Sequence, residues 1–517
     1  MSHSFCCHST KSKIFTFALL ILALLISGCG SSGTKSDKST FTIAVQSDAV
    51  RLDPPAISDI PSTNIISDKL YETLVERRPD GTIIPQLATE WTQVNPTTWE
   101  FTLRKGVKFQ DGTDFNAQAV KITLDRILDK SNSFPRRNLI SMIKEVQVID
   151  DHKVRIITEF PFSALLIHLS HSGVSMISPK AIAENDTKPL AQNPCGTGPF
   201  KLVKWTKGQE IVMERFDGYW GEKPKIAKAI FKVVPEDATR LAMVKTGEAQ
   251  AAEDVPISEA SRISQDKDLE LIRTPGYGVE YLAFNSQKEP FTDKRVRQAL
   301  ALSLNLDAIA SGVYQNPGRR HTSTMTDGML GYHSTLPPFV QNKEAAKKLL
   351  AEAGLPDGFS FTLLTNDNKT RVKLAEVLQA QLKEVGITVN LKVVERGVFI
   401  KDHLSGDYTA IISGWSNPTG DGDFSQFPMH GQAGIETGEN AGRYSNPRIE
   451  QLLQDSRREM DPAKRAEDFK EIQEIVREDA PVVVTRSYEF LAVSRKNVKN
   501  FSYNRANNCD LRNVVIE

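Results

Sequence analysis

The chain has 517 residues, more than one hydrophobic core organises, so about two to four domains are expected. Lysine plus arginine equals aspartate plus glutamate at 64 each, and this zero formal charge argues against nucleic-acid binding, which requires a basic excess. Hydrophobic content of 40% and charged content of 25% are those of an ordinary globular protein.

Lys11 and Lys13 precede thirteen uncharged residues, 14–26 (IFTFALLILALLI). A spanning helix needs about 20 apolar residues. A basic start, a short apolar run and the small residues Ser27 and Gly28 instead describe a secretory signal over 1–28. An uncleaved anchor helix is the alternative. The run Ile26-Ser27-Gly28-Cys29 resembles the lipobox of bacterial lipoproteins, in which the cysteine becomes the lipidated first residue of the mature chain. An ordinary signal peptide with an incidental cysteine is the competing reading. Residues 29–40, with GSSGTKSDKST after Cys29, are small and polar and read as a flexible tether. The expected location is the outer face of the cell membrane, lipid-anchored, or the periplasm of a double-membraned cell. No other run could span a bilayer. Once Cys6, Cys7 and Cys29 are assigned to these segments, Cys195 and Cys509 remain in the body. An exported compartment permits a disulfide between them; two separately buried thiols are the alternative.

The body opens on a short apolar strand, 41–45, broken at Asp53-Pro54. Residues 64–74 place Ile65, Ile66, Leu70, Tyr71 and Leu74 on one helical face. A period-two strand covers 98–104, and Asn116 can cap a helix running to Leu128. Gly196, Gly198 and Pro199 read as a tight turn using glycine's positive φ, and Phe216 to Trp220 as packed aromatics. From residue 284 the pattern is α/β. Helix 295–304 comes first, then helix 343–353 with Gly354 beyond its end, strand 359–364, helix 370–385 before Gly386, and strand 387–394. Residues 408–412 form an apolar strand that opens onto WSNPTGDGDFSQF, 415–427. Asp461-Pro462 starts the last long helix. Strands 481–485 and 491–494 follow, and 514–516 could rejoin the first lobe's sheet.

Several stretches resemble the peptide/nickel/oligosaccharide-type extracellular solute-binding proteins of ABC importers. They are LYETLVERRPDGTIIPQLATEW, WEFTLRKGVKFQDGTDFNAQAV, NPCGTGPF, FDGYW, AFN with DKRVRQA, and AAKKLLAEAG, in register from about residue 41 to the C-terminus. Cys195 stands where members commonly have an apolar residue. The resemblance implies an α/β, two-lobed periplasmic-binding-protein-like fold with an extra N-terminal domain and a ligand cleft between lobes. The corresponding boundaries are 41–72 and 187–280 for lobe I, 73–186 for the additional domain, 281–486 for lobe II and 487–517 for the return to lobe I. The chain would cross its hinge near 277–285 and 483–492, closing as ligand contacts favour the closed state.

On spacing alone, Asp421 and Asp423 are solvated acids in a surface loop. In peptide-binding members of this family an aspartate in the loop after Gly-Trp meets the ligand's amino group, and the matching position is Asp421. A buried ammonium needs such a counter-charge. Trp415 would supply an aromatic wall, Asp423 would contact ligand or hold the loop, and Thr419 of the same loop joins the ligand-binding set. The glutathione- and nickel-chelate-binding subgroup carries an arginine near Arg136 and Arg137; a guanidinium grips a carboxylate with paired hydrogen bonds. Simple surface exposure is the alternative. Ser62 and Thr63 fall in a stretch that often lines the first-lobe wall.

No HExxH, GxSxG or P-loop occurs, and Ser264 to Lys267 matches SxxK without its companion motifs. His168 and His171 read as packed rather than metal-bound, and Cys195 has no CxxC partner. No cofactor or metal is expected. The implied function is a lipid-anchored, monomeric, non-enzymatic receptor. It would capture a dipeptide, tripeptide or glutathione-like ligand for permease subunits with cytoplasmic ATPases. A nickel chelate, haem or oligosaccharide ligand, an extracytoplasmic peptidase, and a sensor are the alternatives.

Overall fold

Two long neighbouring strands, Leu269–Phe284 and Val482–Arg495, run antiparallel through the centre of the protein. The computed structural model describes residues 38–315 and 320–517. The signal segment 1–28, Cys29 and the tether as far as residue 37 lie outside the described residues. Among those described, no helix is long and apolar enough to cross a membrane.

The long strands belong to one ten-stranded sheet. On one side of the pair lie Ala410–Ser416, Ser360–Asn366 and Thr388–Val394; on the other lie Ala251–Glu253, Thr40–Val45, Lys228–Val233, Glu210–Arg215 and Phe200–Thr206. The pair's register breaks between Pro275 and Val279 and again between Glu280 and Tyr281. Residues 269–275 pair with 489–495 in the first lobe, and 279–283 with 482–487 in the second. The fold is therefore two α/β lobes joined by strands that both share. Sequence reading split 481–494 into two strands; the structure has one, because its residues find a partner along the whole length of Leu269–Phe284.

An antiparallel four-stranded sheet forms the additional N-terminal domain, in the order Ala88–Asn95, Thr98–Leu103, Lys153–Thr158, Ile143–Asp150. Helix Ala117–Leu128 packs on it, its start set by the Asn116 side chain accepting from the Ala119 N–H at 3.0 Å. Its core runs from Leu74 to Met176 and includes Cys195. The first lobe has a separate core that includes Cys509. Both thiols are free and buried, so the expected disulfide is not formed. The two side chains are packed into different cores, and burial pushes the thiols up to about 12 for Cys195 and about 11 for Cys509.

Two further expectations change. The predicted helix over 64–74 is instead Ile60–Ile66, started by Asp59, whose carboxylate accepts from the Ser62 N–H, with Pro61 in its first turn. It stops because the next carbonyls are committed elsewhere: Lys69 O accepts from Phe200 N–H and Leu70 O from Gly198 N–H. Gly198 is needed for this approach rather than for positive φ; a Cβ there would lie 2.4 Å from Lys69 O. The C-terminal strand Val515–Ile516 pairs with Val498–Lys499 in a two-stranded ribbon instead of rejoining the large sheet, although its side chains still fill the first lobe's core.

The aromatics Tyr219 and Trp220 surround a residue that the sequence did not single out. Glu72 accepts from Thr197 Oγ1, Tyr219 Oη and Trp220 Nε1 at 2.7–2.8 Å. Burial raises this carboxyl to about 7 while the three donors pull it down. A lone glutamate within an apolar stretch was the available signal.

Candidate functional site

Strand Ala410–Ser416 carries Trp415 to the boundary between lobes, where Trp415 pairs with Val279 of the long strand. The loop beyond is built around Asn417. Its carbonyl oxygen accepts from Thr419 N–H, Thr419 Oγ1 and Gly420 N–H, and its amide donates to Asp421 O at 2.7 Å. Gly420 sits at φ 67°, and a Cβ there would lie 2.8 Å from the Tyr277 ring and 2.9 Å from the Arg77 guanidinium. The loop ends in helix Asp423–His430.

In front of this loop lies a cavity of about 640 Å³. Its walls come from 58–63 of the first lobe, from 135–141 and His168 of the additional domain, and from 414–439 and Arg457 of the second lobe. Four of the expected residues line it: Thr63, Arg136, Trp415 and Asp423. Thr419 lines a smaller adjoining chamber instead. Ser62, Arg137 and Asp421 line neither.

Each position has a physical reason. Ser62 is fully buried, its Oγ accepting from the Val50 N–H at 2.8 Å. Arg137 lies in the short helix Pro135–Leu139, where its carbonyl accepts from Ile140 N–H. Arg136, in the same turn, donates from Nε to Ile57 O at 2.7 Å; burial lowers it to about 10, with Asp59 opposing, so it stays cationic at neutral pH. Thr63 Oγ1 donates to Asp59 O at 2.7 Å.

The two aspartates separate completely. Asp421 is 0% exposed and holds Arg465 through two contacts of 2.6 Å; it also accepts from the Asp423 N–H. Burial alone would raise its carboxyl, but the Arg465 guanidinium holds it below the usual range. The expected amine counter-charge is thus already neutralised, away from the cavity. Asp423 lines the cavity. Arg457 Nε comes within 3.0 Å of its Oδ1 without the alignment of a hydrogen bond, and that oxygen has no hydrogen-bond partner among the described residues. Arg457 is held over the rings of Phe427, Phe162 and Phe160 at 4.2, 5.2 and 5.5 Å.

His168 completes the site. Its Nδ1 lies 2.7 Å from Leu139 O, an acceptor, so Nδ1 carries the proton. Burial lowers its pKa, with Asp423 opposing. In the neutral ring Nε2 is then an acceptor, and it lies 3.7 Å from Asp423 Oδ2 with no donor bonded to it. Two acceptors thus stand side by side at the cavity wall. Trp415 Nε1 is also buried without a partner, and its ring is 6.3 Å from that of Phe424. Sequence reading missed Asn417, Phe424, Phe427 and Arg457, and treated His168 only as packing. A histidine and an arginine far from the loop carry no local pattern that would join them to it.

His430, at the end of the same helix, is buried with Nε2 3.1 Å from Thr324 Oγ1, and burial lowers it to about 3. Unfolding releases it to ordinary basicity near 6.5. Its contribution to stability is therefore complete above about pH 6.5 and is lost as pH falls towards 3. Between pH 6.5 and 5 this amounts to about 2 kcal/mol. Denaturant unfolding at the two pH values should show a correspondingly smaller drop for His430→Gln than for the parent; equal drops would refute the assignment.

The model for the bacterial extracellular solute-binding proteins, family 5 (middle), matches residues 82–436. The glutathione-binding protein GsiB of Salmonella choleraesuis (strain SC-B67) is 32% identical over 468 residues, covering 89% of this chain and 91% of GsiB. A dipeptide-binding protein of Escherichia coli (strain K12) is 32% identical over 476 residues, covering 87% and 89%. Among solved structures, HbpA2 from Haemophilus parasuis superposes with a TM-score of 0.82 at 27% identity, over 92% of this chain and all of HbpA2.

Proposed function

The chain belongs to the bacterial extracellular solute-binding proteins of family 5, and on that premise we propose that it is the receptor of an ABC importer for small peptides. It is tethered by a lipid on Cys29 to the outer face of the membrane. There it captures a dipeptide, a tripeptide or a glutathione-like molecule and passes it to permease subunits driven by cytoplasmic ATPases. Relatives named for glutathione and dipeptide binding support this ligand class.

The observation that carries the reading is the cavity-wall pair of Asp423 and His168: the carboxylate Oδ1 lies 3.0 Å from Arg457 Nε without a hydrogen bond, and Oδ2 lies 3.7 Å from His168 Nε2, which has no hydrogen-bond partner among the described residues. A ligand ammonium would donate to both groups and join the Arg457 guanidinium on the carboxylate. Arg136, on the additional domain's wall, would take the ligand carboxylate, and Trp415 would cover the apolar part between. A volume of about 640 Å³ falls within the roughly 300–1,000 Å³ common for small-molecule sites.

Isothermal titration against dipeptides, tripeptides, glutathione and a nickel–histidine chelate tests the proposal. Saturable heat with at least one peptide is the expected result. No heat with any peptide, alongside saturable binding of the chelate, would refute it. Native mass spectrometry of ligand carried through purification gives an independent readout.

A further inference from the structure

Beside the main cavity lies a second chamber of about 200 Å³, its lining about half polar where that of the first is mostly apolar. The two spaces share Thr63, Pro418 and Ala506 as a common wall. Of the expected binding residues Thr63 and Thr419 line it, and neither the amine nor the carboxylate anchor does.

The chamber's charges are mostly paired among themselves. Arg512 donates to both oxygens of Glu76 at 2.8 and 2.9 Å and to Asp510 at 3.0 Å. Arg505 is held by Asp327 at 2.7 Å. Asp68 accepts from Ser67 Oγ and Gln86 Nε2.

What remains are hydrogen-bonding atoms without partners. His171 is 6% exposed, and its Nδ1 accepts from the Gly173 N–H at 2.8 Å. With Nδ1 an acceptor, the neutral ring carries its proton on Nε2, which has no partner among the described residues. Burial keeps the ring neutral, and Arg136 and His168 act in the same direction. His171 also stacks on Phe424, a wall of the main cavity, at 6.2 Å and 20°. Arg77 donates from Nη1 to Tyr277 Oη at 3.1 Å, while its Nε is buried with no hydrogen-bond partner among the described residues. Asn508, 8% exposed, has a carboxamide oxygen with no partner. Both Arg77 Nε–H and His171 Nε2–H are fixed donors. The Asn508 amide can turn either end to an occupant. A buried donor left unmade costs about 1–3 kcal/mol, a cost that an oxygen of the ligand or a water removes and an apolar group does not.

We propose that this chamber is a side-chain subsite, built by Arg77, His171 and Asn508, for a ligand group with an oxygen acceptor, a carboxamide or a carboxylate. It rests on the peptide reading above and adds to it a preference: the receptor selects peptides by a polar side chain passing Pro418. An apolar side chain would leave both donors unmade, and an ammonium would oppose the Arg77 guanidinium.

Titration of the intact protein with Ala-Gln, Ala-Glu, Ala-Met and Ala-Lys tests this. Ala-Gln and Ala-Glu should bind at least about tenfold tighter than Ala-Met and Ala-Lys, since one satisfied buried hydrogen bond is worth roughly 1.4 kcal/mol. Their ratio to each other tells whether the amide or the acid is preferred. The ratio of Ala-Gln to Ala-Met should collapse towards one in His171→Phe. Asn508→Leu serves as a second variant should His171→Phe lose its native circular dichroism. Equal affinities for all four peptides in the parent protein would overturn the subsite while leaving peptide binding intact. Binding of none of them would overturn both readings. A crystal structure of the Ala-Gln complex with only water in the chamber would overturn the subsite alone.

Discussion

Replacing Asp421 with alanine is expected to cost about 3–5 kcal/mol of stability, the usual penalty for removing one partner of a buried ion pair. Arg465 is 3% exposed, and its Nη1 and Nη2 each donate to Asp421. Its Nε donates to Ser456 O, and its guanidinium lies 5.1 Å from the Phe469 ring. Without Asp421 the cation stays buried without its hydrogen-bonded counter-charge, keeping only the weaker pull of Asp423 and Asp468, and the Asp423 N–H loses its acceptor. Urea unfolding should show the loss at neutral pH, and Arg465→Ala should show a loss of similar size. The double replacement Asp421→Leu with Arg465→Met should recover most of it, because two apolar side chains leave no unpaired charge behind. A single variant with an unchanged midpoint and slope would contradict this account.

Two residues on, the same chemical group carries a different expectation. Asp423→Asn keeps shape and removes charge. The variant should lose stability with the Arg457 ion pair and, as folded protein, bind a ligand amine less tightly by about 2–3 kcal/mol, the worth of a charge-assisted hydrogen bond. That is roughly 30- to 150-fold in Kd. The basis is the Asp423 carboxylate at the cavity wall, its Oδ2 3.7 Å from the acceptor Nε2 of His168. A dipeptide and its N-acetyl form separate the amine's share. Acetylation should weaken binding to the parent strongly and to Asp423→Asn little more, the mark of two groups that interact directly. If acetylation costs both proteins the same, Asp423 does not hold the amine.

These neighbouring aspartates also mark where sequence reading reached its limit. It found the loop after Trp415 and its two carboxylates, and matched the first of them to the ligand amine. The structure spends that one on Arg465, 44 residues further along. Residues two apart in a turning loop face different ways, and the direction is set by partners rather than by spacing. The disulfide failed similarly: an oxidising compartment permits a pair, but Cys195 and Cys509 are committed to separate cores. The helix over 64–74 had the right apolar spacing. It lost to the 196–200 segment, which takes the carbonyls a helix would have used.

What the sequence determines by itself is what short-range physics controls. Caps at Asn116 and Asp461 and glycine stops at Gly354 and Gly386 appear where they were read, and the period-two strand read over 98–104 is Thr98–Leu103. Each depends on a few adjacent residues. The family is legible for a related reason, since its motifs are contiguous and keep their order along the chain. Only the tertiary structure decides which charged groups stay available. Burial makes an unpaired charge costly, so Asp421 takes the Arg465 guanidinium that the fold brings beside it. That pairing is between residues distant in sequence, and it leaves Asp423 and His168 facing the cavity while Asp421 is consumed in holding the lobe together.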